Sequence, residues 1–186
     1  MSQRLIYTLG PSGAGKDSLL AWLAQHLPAH SGVHFARRVI DRPRQADAEM
    51  HESLSTADFM AEQGAGAFAL HWAANGHHYG VRHTELASLQ GDQWVFVNGS
   101  RGYLAKALDK FPSMVVLHIT APIAVLQTRL AARKRESPDM IAARLSRAAA
   151  FQPPKGCAFI EIQNDGTLDE AGHRLLQALS SVPGWR

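Results

Sequence analysis

The chain has 186 residues, 46% of them hydrophobic and 19% charged, with one cysteine and a formal charge of +3 at pH 7. That composition excludes a disordered tail and a disulfide-stapled scaffold, and so small a charge excess predicts no nucleic-acid partner unless it is concentrated in one place. One domain with a substantial core is expected, residues 1–186, in a reducing, cytoplasmic setting, because Cys157 has no cysteine to pair with and no stretch has the length of a membrane span or a signal-peptide core.

Leu5–Leu9 is a short apolar, β-rich run that reads as a buried strand and ends at Gly10-Pro11-Ser12-Gly13-Ala14-Gly15-Lys16. From Lys16 to Leu27, Leu19, Leu20, Leu23 and Leu27 recur at helical spacing, and Pro28 stops the helix. The segment from about Arg37 to Arg82 is polar and rich in His and Arg. It holds a short helix near Ser55–Gln63 and the apolar stretch Phe68–Trp72, and is expected to be an insertion carrying an acceptor site over the sheet edge. Trp94–Val97 predicts a strand and a helix follows through Leu104 and Leu108. Met114–Ile119 is the clearest strand, followed by a helix with Pro122 near its first turn and Ile123, Leu126 and Leu130 on one face. Ser137 is the expected N-cap of a further helix, Ala158–Ile162 a last strand, and Thr167–Glu170 a capping box for the terminal helix. Strands separated by helices predict an α/β fold, a central parallel sheet with helices on both faces.

The glycine loop lies between a strand and a helix, the context in which glycines let successive N–H groups point inward at phosphate oxygens. A glycine-rich turn without function is the bland alternative, and the flanking elements argue against it. Lys16 would reach the terminal phosphates of a nucleotide. Asp17 is the unusual residue, since Ser or Thr normally follows the lysine. A carboxylate about 4 Å from a phosphate charge costs roughly 4 kcal/mol at an effective dielectric of 20. Asp17 therefore either ligates Mg²⁺ as a hard oxygen donor or turns away to favour the first helical turn; Ser18, a stand-in by chemistry, lies one residue further on and would point elsewhere.

Several stretches resemble the guanylate kinase-like family of P-loop kinases. The loop Gly10–Lys16 matches that family, and Arg38-Val39-Ile40-Asp41-Arg42-Pro43-Arg44 resembles a degraded acceptor-phosphate motif, S-x-T-T-R-x-P-R. Asn75–Gly80 resembles G-x-Y-Y-G, with Tyr79 on the acceptor phosphate. Arg129, Leu130 and Arg133, then Arg144 and Leu145, resemble the lid, and Asn164-Asp165 falls at the family's turn near the adenine. The resemblance implies ATP and Mg²⁺ as cofactors, with Gly10, Pro11, Ser12, Gly13, Ala14, Gly15, Lys16, Asp17, Ser18, Asn164 and Asp165 around the nucleotide and Arg129, Arg133 and Arg144 over the transferring group.

Two departures bear on the acceptor. Where the family reads guanine with Glu in F-I/L-E, this chain has Leu70, and the later strand ends Asn98-Gly99-Ser100-Arg101 without an acid. A pocket that hydrogen-bonds a base loses most discrimination without those groups. Asp17, Asn98–Arg101 and Gln163–Gly166 together resemble a branch of the family that phosphorylates a sugar phosphate. That likeness implies ATP-dependent transfer to the 1-phosphate of ribose 1,5-bisphosphate, giving 5-phosphoribosyl 1-diphosphate and ADP. Arg38, Arg42, Tyr79, Asn98, Ser100 and Arg101 would hold this small-molecule acceptor. An attacking phosphate oxygen is already ionised, so no general base is required and cations are. Between Arg129 and Arg147 stand six Lys or Arg against Glu136 and Asp139, a local +4 that exceeds the whole-chain +3. A solvated helix face would look the same for any one of these arginines, as a plain N-cap would for Ser100. His71, His77, His78 and His83 lack the spacing of a structural zinc site and are expected to shape the acceptor pocket or face solvent. Two alternatives stand beside the sugar-phosphate reading, a nucleoside monophosphate kinase and a non-catalytic phospholigand-binding module. Leu70 argues against the first and the intact loop against the second.

Overall fold

A computed structural model describes residues 4–28, 30–42, 51–91, 93–132 and 137–185. Five strands form a parallel sheet in the order β2-β7-β1-β8-β9, flanked by helices, and four others form a second sheet in the order β4-β3-β6-β5. The chain gathers into two compact units: residues up to Tyr7 with Gly32–Met114, and Thr8–Ser31 with residues from Val115 onward. No helix among the described residues is long and apolar enough to cross a membrane.

In the second unit, α1 spans Lys16–His26 and buries Leu19, Leu20, Trp22 and Leu23. It stops where Leu27 turns extended (φ −78°, ψ 143°), the conformation that Pro28 imposes on its predecessor. The strand β8, Val115–Thr120, pairs in parallel with β9, Ala158–Gln163. α6, Leu168–Ser180, starts at the expected capping box and buries Ala171, Leu175 and Leu179. Trp22 of α1 donates its indole N–H to Asp169 at 3.2 Å. α4, Ile123–Ala132, buries Leu126 and Leu130, but Ile123 is 43% exposed. At the first position of the helix it has no preceding turn to hold it against the core. α5, Pro138–Ala149, is capped by Ser137 and buries no residue.

In the first unit, β2 (Val33–Phe35) pairs in parallel with β7 (Trp94–Asn98), which is buried throughout. Tyr7, in the middle of β1 (Leu5–Leu9), belongs to this unit. The polar segment folds as a mostly antiparallel sheet, which its sequence did not announce. β3 (Arg38–Ile40) pairs with β6 (His77–Arg82), and β6 with β5 (Phe68–Ala74). Asn75 (φ 53°) and Gly76 (φ 78°) join β5 to β6, both in the left-handed region that a two-residue hairpin turn of the mirror-image type demands. β4 is the two-residue Glu52–Ser53, parallel to β3. The helix α2, Thr56–Gly64, capped by Ser55, seats Phe59 on Val39 and Phe68, and α3, Leu104–Lys110, follows β7.

Candidate active site

The loop of the second unit is held by the elements around it. Gly10 has φ 156°, and a Cβ there would come within 1.9 Å of the Ile119 carbonyl oxygen. Gly15 has φ 85°, and a Cβ there would meet Asn164 Nδ2 at 2.4 Å. No other residue type fits either place. Asn164 is buried; its Nδ2 donates to the Ala14 carbonyl at 2.8 Å and its backbone N–H to the Thr120 carbonyl at 2.7 Å. A trans peptide sets its C=O and N–H on opposite sides. Anchoring the Ala14 carbonyl on Asn164 therefore turns the Gly15 N–H the other way, leaving it for a ligand.

Lys16 donates from Nζ to the carbonyls of Gly10 at 2.9 Å and Pro11 at 3.1 Å, so its ammonium lies across the loop that it would serve. Pro11, Gly13 and Ala14 are buried and Ser12 is half-buried, while Asp17 and Ser18 are exposed in the first turn of α1. Arg129 of α4 is half-buried, and its Nη1 reaches the Gly13 carbonyl at 3.5 Å. Arg144 is half-buried on α5, and Arg133 lies outside the described residues. Asp165 is exposed, its carboxylate accepting from Gln163 Nε2 at 2.9 Å and Arg174 Nη2 at 3.1 Å. Loop amides, a helix N-terminus, Lys16 and Arg129 thus converge on one spot. That arrangement can neutralise a polyphosphate.

The first unit gathers a different kind of site. Arg38 is buried, donates from Nη1 to the Asn98 carbonyl at 3.2 Å, and sits 5.6 Å over the Tyr79 ring. Tyr79 is itself buried and stacks on Trp72 at 5.6 Å. Arg42 is half-buried just past β3, and its Nε is buried with no hydrogen-bond partner among the described residues. Such an orphaned donor is costly, and an anion would satisfy it. Arg44 lies outside the described residues.

Asn98 is buried at the end of β7. Ser100 accepts from the Gly102 N–H at 3.3 Å, the N-cap of the 3₁₀ turn Arg101–Tyr103, in which Arg101 is half-buried. The Tyr7 hydroxyl accepts from the Ser100 N–H at 2.9 Å and donates to the Ser100 carbonyl at 3.0 Å. Burial pushes that hydroxyl well above its ordinary 10.0, so it stays a neutral donor and acceptor.

Sequence reasoning missed Asp41. Its carboxylate accepts from the His78 N–H and from His78 Nδ1, both at 2.7 Å, and from Thr56 at 3.1 Å. Burial alone would raise the carboxyl, but the bonds from His78 and Thr56 outweigh it and hold the group below the usual carboxylate range. His77 Nδ1 lies 3.5 Å from the same carboxylate. This arrangement braces the backbone beside Arg42; among the described residues there is no cluster of three metal ligands. The only sequence hint was an acid flanked by arginine on one strand and two histidines on another. Trp72 and Phe68 are buried, as packing residues should be.

No family model matches the chain. It is 43% identical over 181 residues to the ribose 1,5-bisphosphate phosphokinase PhnN of Burkholderia mallei, covering 97% of each chain. It is 48% identical over 176 residues to the PhnN of Chromobacterium violaceum, covering 94% of this chain and 92% of the relative. Among solved structures, guanylate kinase from Anaplasma phagocytophilum superposes with a TM-score of 0.66 over 97% of this chain and 88% of that one, at 16% identity. That last likeness shows a shared fold.

Proposed function

The chain belongs to the ribose 1,5-bisphosphate phosphokinase family, and from that premise we propose how its residues divide the work of an ATP-dependent phosphotransferase. The reaction transfers the terminal phosphoryl group of ATP to the 1-phosphate of ribose 1,5-bisphosphate, giving 5-phosphoribosyl 1-diphosphate and ADP. The observation that carries the division is the loop itself, with Lys16 lying 2.9 and 3.1 Å from its carbonyls and Gly15 turned by Asn164.

Lys16 and the main-chain N–H groups of the glycine loop hold the ATP phosphates. Arg129, Arg133 and Arg144 hold the transferring group, whose charge spreads over three oxygens as the bond to ADP loosens. Arg38, Arg42, Tyr79, Asn98, Ser100 and Arg101 hold the sugar, so that its ionised 1-phosphate oxygen attacks without surrendering a proton. Asn164 and Asp165 shape the nucleotide side, Asn164 through the loop. The whole chain acts as one P-loop kinase domain, with 37–82 for the acceptor and 129–147 as lid. The lone Cys157, free and half-buried, supports a cytoplasmic setting.

The metal is the finer part of the proposal. Asp17 is an exposed carboxylate in the first turn of α1, directly after Lys16, and its hard oxygens suit Mg²⁺. Asp17 would hold the ion, which when bound offsets charge on the phosphate oxygens. Replacing Asp17 by Asn should raise the Mg²⁺ concentration for half-maximal activity about tenfold, roughly the 1.4 kcal/mol expected of a charged ligand made neutral. An unchanged Mg²⁺ titration returns Asp17 to a helix-start role. The substrate assignment is tested by ADP release from ATP and Mg²⁺ with either ribose 1,5-bisphosphate or GMP. Turnover on GMP alone overturns the acceptor, and turnover on neither leaves a binding module.

A further inference from the structure

A ribose bisphosphate brings two phosphate groups to the first unit, and one set of cations serves the carbon-1 phosphate that receives the new group. We propose that Arg38 reads the other, the phosphate on carbon 5, and so sets the preference for a bisphosphate over a monophosphate. This rests on the acceptor assigned above.

Side-chain alternation along β3 sets the face that Arg38 takes. Val39 turns into the cluster of Phe59 and Phe68, while Arg38 and Ile40 take the opposite face, shared with their cross-strand partners Val81 and Tyr79. On that face Leu70, opposite Val81, is buried and brings neither charge nor hydrogen bond. The Arg38 guanidinium, by contrast, is drawn into the interior, over the Tyr79 ring at 5.6 Å and against the Asn98 carbonyl at 3.2 Å. Its charge is felt at the Tyr7 hydroxyl, the same group that clamps the main chain of Ser100 at 2.9 and 3.0 Å. Arg38, Ser100 and the end of β7 therefore meet at one place.

Drawing a guanidinium out of water is costly, and in return its N–H groups bind an anion more strongly than exposed ones would. Its planar fork matches phosphate geometry and a lysine would not. Arg42, just past the end of β3, brings the second guanidinium, and its buried Nε has no hydrogen-bond partner among the described residues, which leaves it for the other phosphate.

A rival cationic feature exists in the same unit. A groove of about 700 Å³ at the edge strand β5 is lined by His71, Trp72, Lys106 and Lys110. There Lys110 already donates to the Ala69 carbonyl at 2.9 Å, Lys106 is exposed, and burial with the two lysines disfavours the charged form of His71. The buried, braced guanidinium is the better reader.

The test measures kcat/KM at saturating ATP for wild type, Arg38→Met, Arg42→Met and Lys106→Met, on ribose 1,5-bisphosphate and on ribose 1-phosphate. Arg38→Met is expected to cut the preference for the bisphosphate at least about thirtyfold with KM for ATP unmoved, and Arg38→Lys to recover part of it. Arg42→Met should depress both acceptors alike. Calorimetric binding of ribose 5-phosphate, which lacks the accepting group, should weaken in Arg38→Met by a similar factor, with thermal melting to confirm folding. Equal losses on both acceptors in Arg38→Met, or a bisphosphate-selective loss in Lys106→Met instead, would overturn the proposal. If wild type turns over neither sugar, the acceptor assignment fails. Ribose 5-phosphate binding then still decides Arg38, with equal affinity in wild type and Arg38→Met counting against it.

Discussion

On the proposed division of work, the nucleotide loop and the acceptor region would hold phosphate by opposite means. The loop is a contiguous stretch that would offer main-chain amides, and its side chains mainly keep the main chain in place. Asn164 pins Ala14, Ile119 leaves no room for a Cβ at Gly10, and Lys16 and Arg129 bring positive charge. The acceptor region has no such stretch. Arg38 comes from β3, Tyr79 from β6 and Asn98 from β7, and they meet only because two strands pair and a third ends beside them. A main-chain site tolerates few changes of backbone but many of neighbour. A side-chain site can change its ligand by single substitutions, whereas a main-chain site changes only with its backbone.

That contrast can be broken most forcefully at the lysine. Lys16→Ala removes the ammonium together with its two bonds to the loop carbonyls, and it should lower kcat/KM by about a hundredfold or more, the scale of losing one preorganised charge on the phosphates. A near-normal rate would mean that the amides suffice alone. Next comes Gly10→Ala, whose added methyl would fall 1.9 Å from the Ile119 oxygen. About 3 kcal/mol of lost stability is expected, a fall in Tm of about 6–12 °C by thermal melting. Asn164→Ala separates the loop from the base. If the carboxamide acts through Ala14, affinities for ATP and for inorganic tripolyphosphate should fall together, each by about tenfold. A loss confined to ATP would make Asn164 an adenine contact.

The smallest effect concerns Asp41. Its carboxyl is held below its ordinary value of 3.8 in the folded protein, so the unfolded chain takes up protons first as pH falls. The stability it contributes is complete above that value and is lost as pH drops through the folded value. Wild type should therefore lose more stability between pH 5 and about 3 than Asp41→Asn does, by chemical denaturation. Parallel curves would show that the His78–Asp41 bond braces nothing.

How far the sequence could be read follows the same division. β1, α1, β7, β8, β9 and α6 are long, apolar and periodic, and each lies within a residue or two of its expected place, as does the capping box at Thr167. The loop was legible because its spacing is its geometry. The antiparallel sheet was not, since β4 has two residues and β3 three, too few for alternation to register. Its strongest local signal, Asn75-Gly76 between Trp72 and Tyr79, was a hairpin in plain view, overshadowed by the resemblance of the residues that follow. Arg38 and Arg42 read alike in sequence, as acceptor ligands; nothing in a linear string tells that Arg38 is buried under Asn98 while Arg42 carries an Nε without a partner among the described residues. Asp41 was invisible because its partners stand 15 and 37 residues away.

The most direct test of the account is phosphorus NMR of the reaction mixture, with ATP, Mg²⁺ and ribose 1,5-bisphosphate in one tube and ATP, Mg²⁺ and GMP in the other. The account predicts that the first tube yields ADP together with a new coupled pair of diphosphate resonances on carbon 1 of the sugar, while its carbon-5 phosphate persists. It predicts no GDP in the second. GDP from GMP with the ribose bisphosphate unchanged would contradict it.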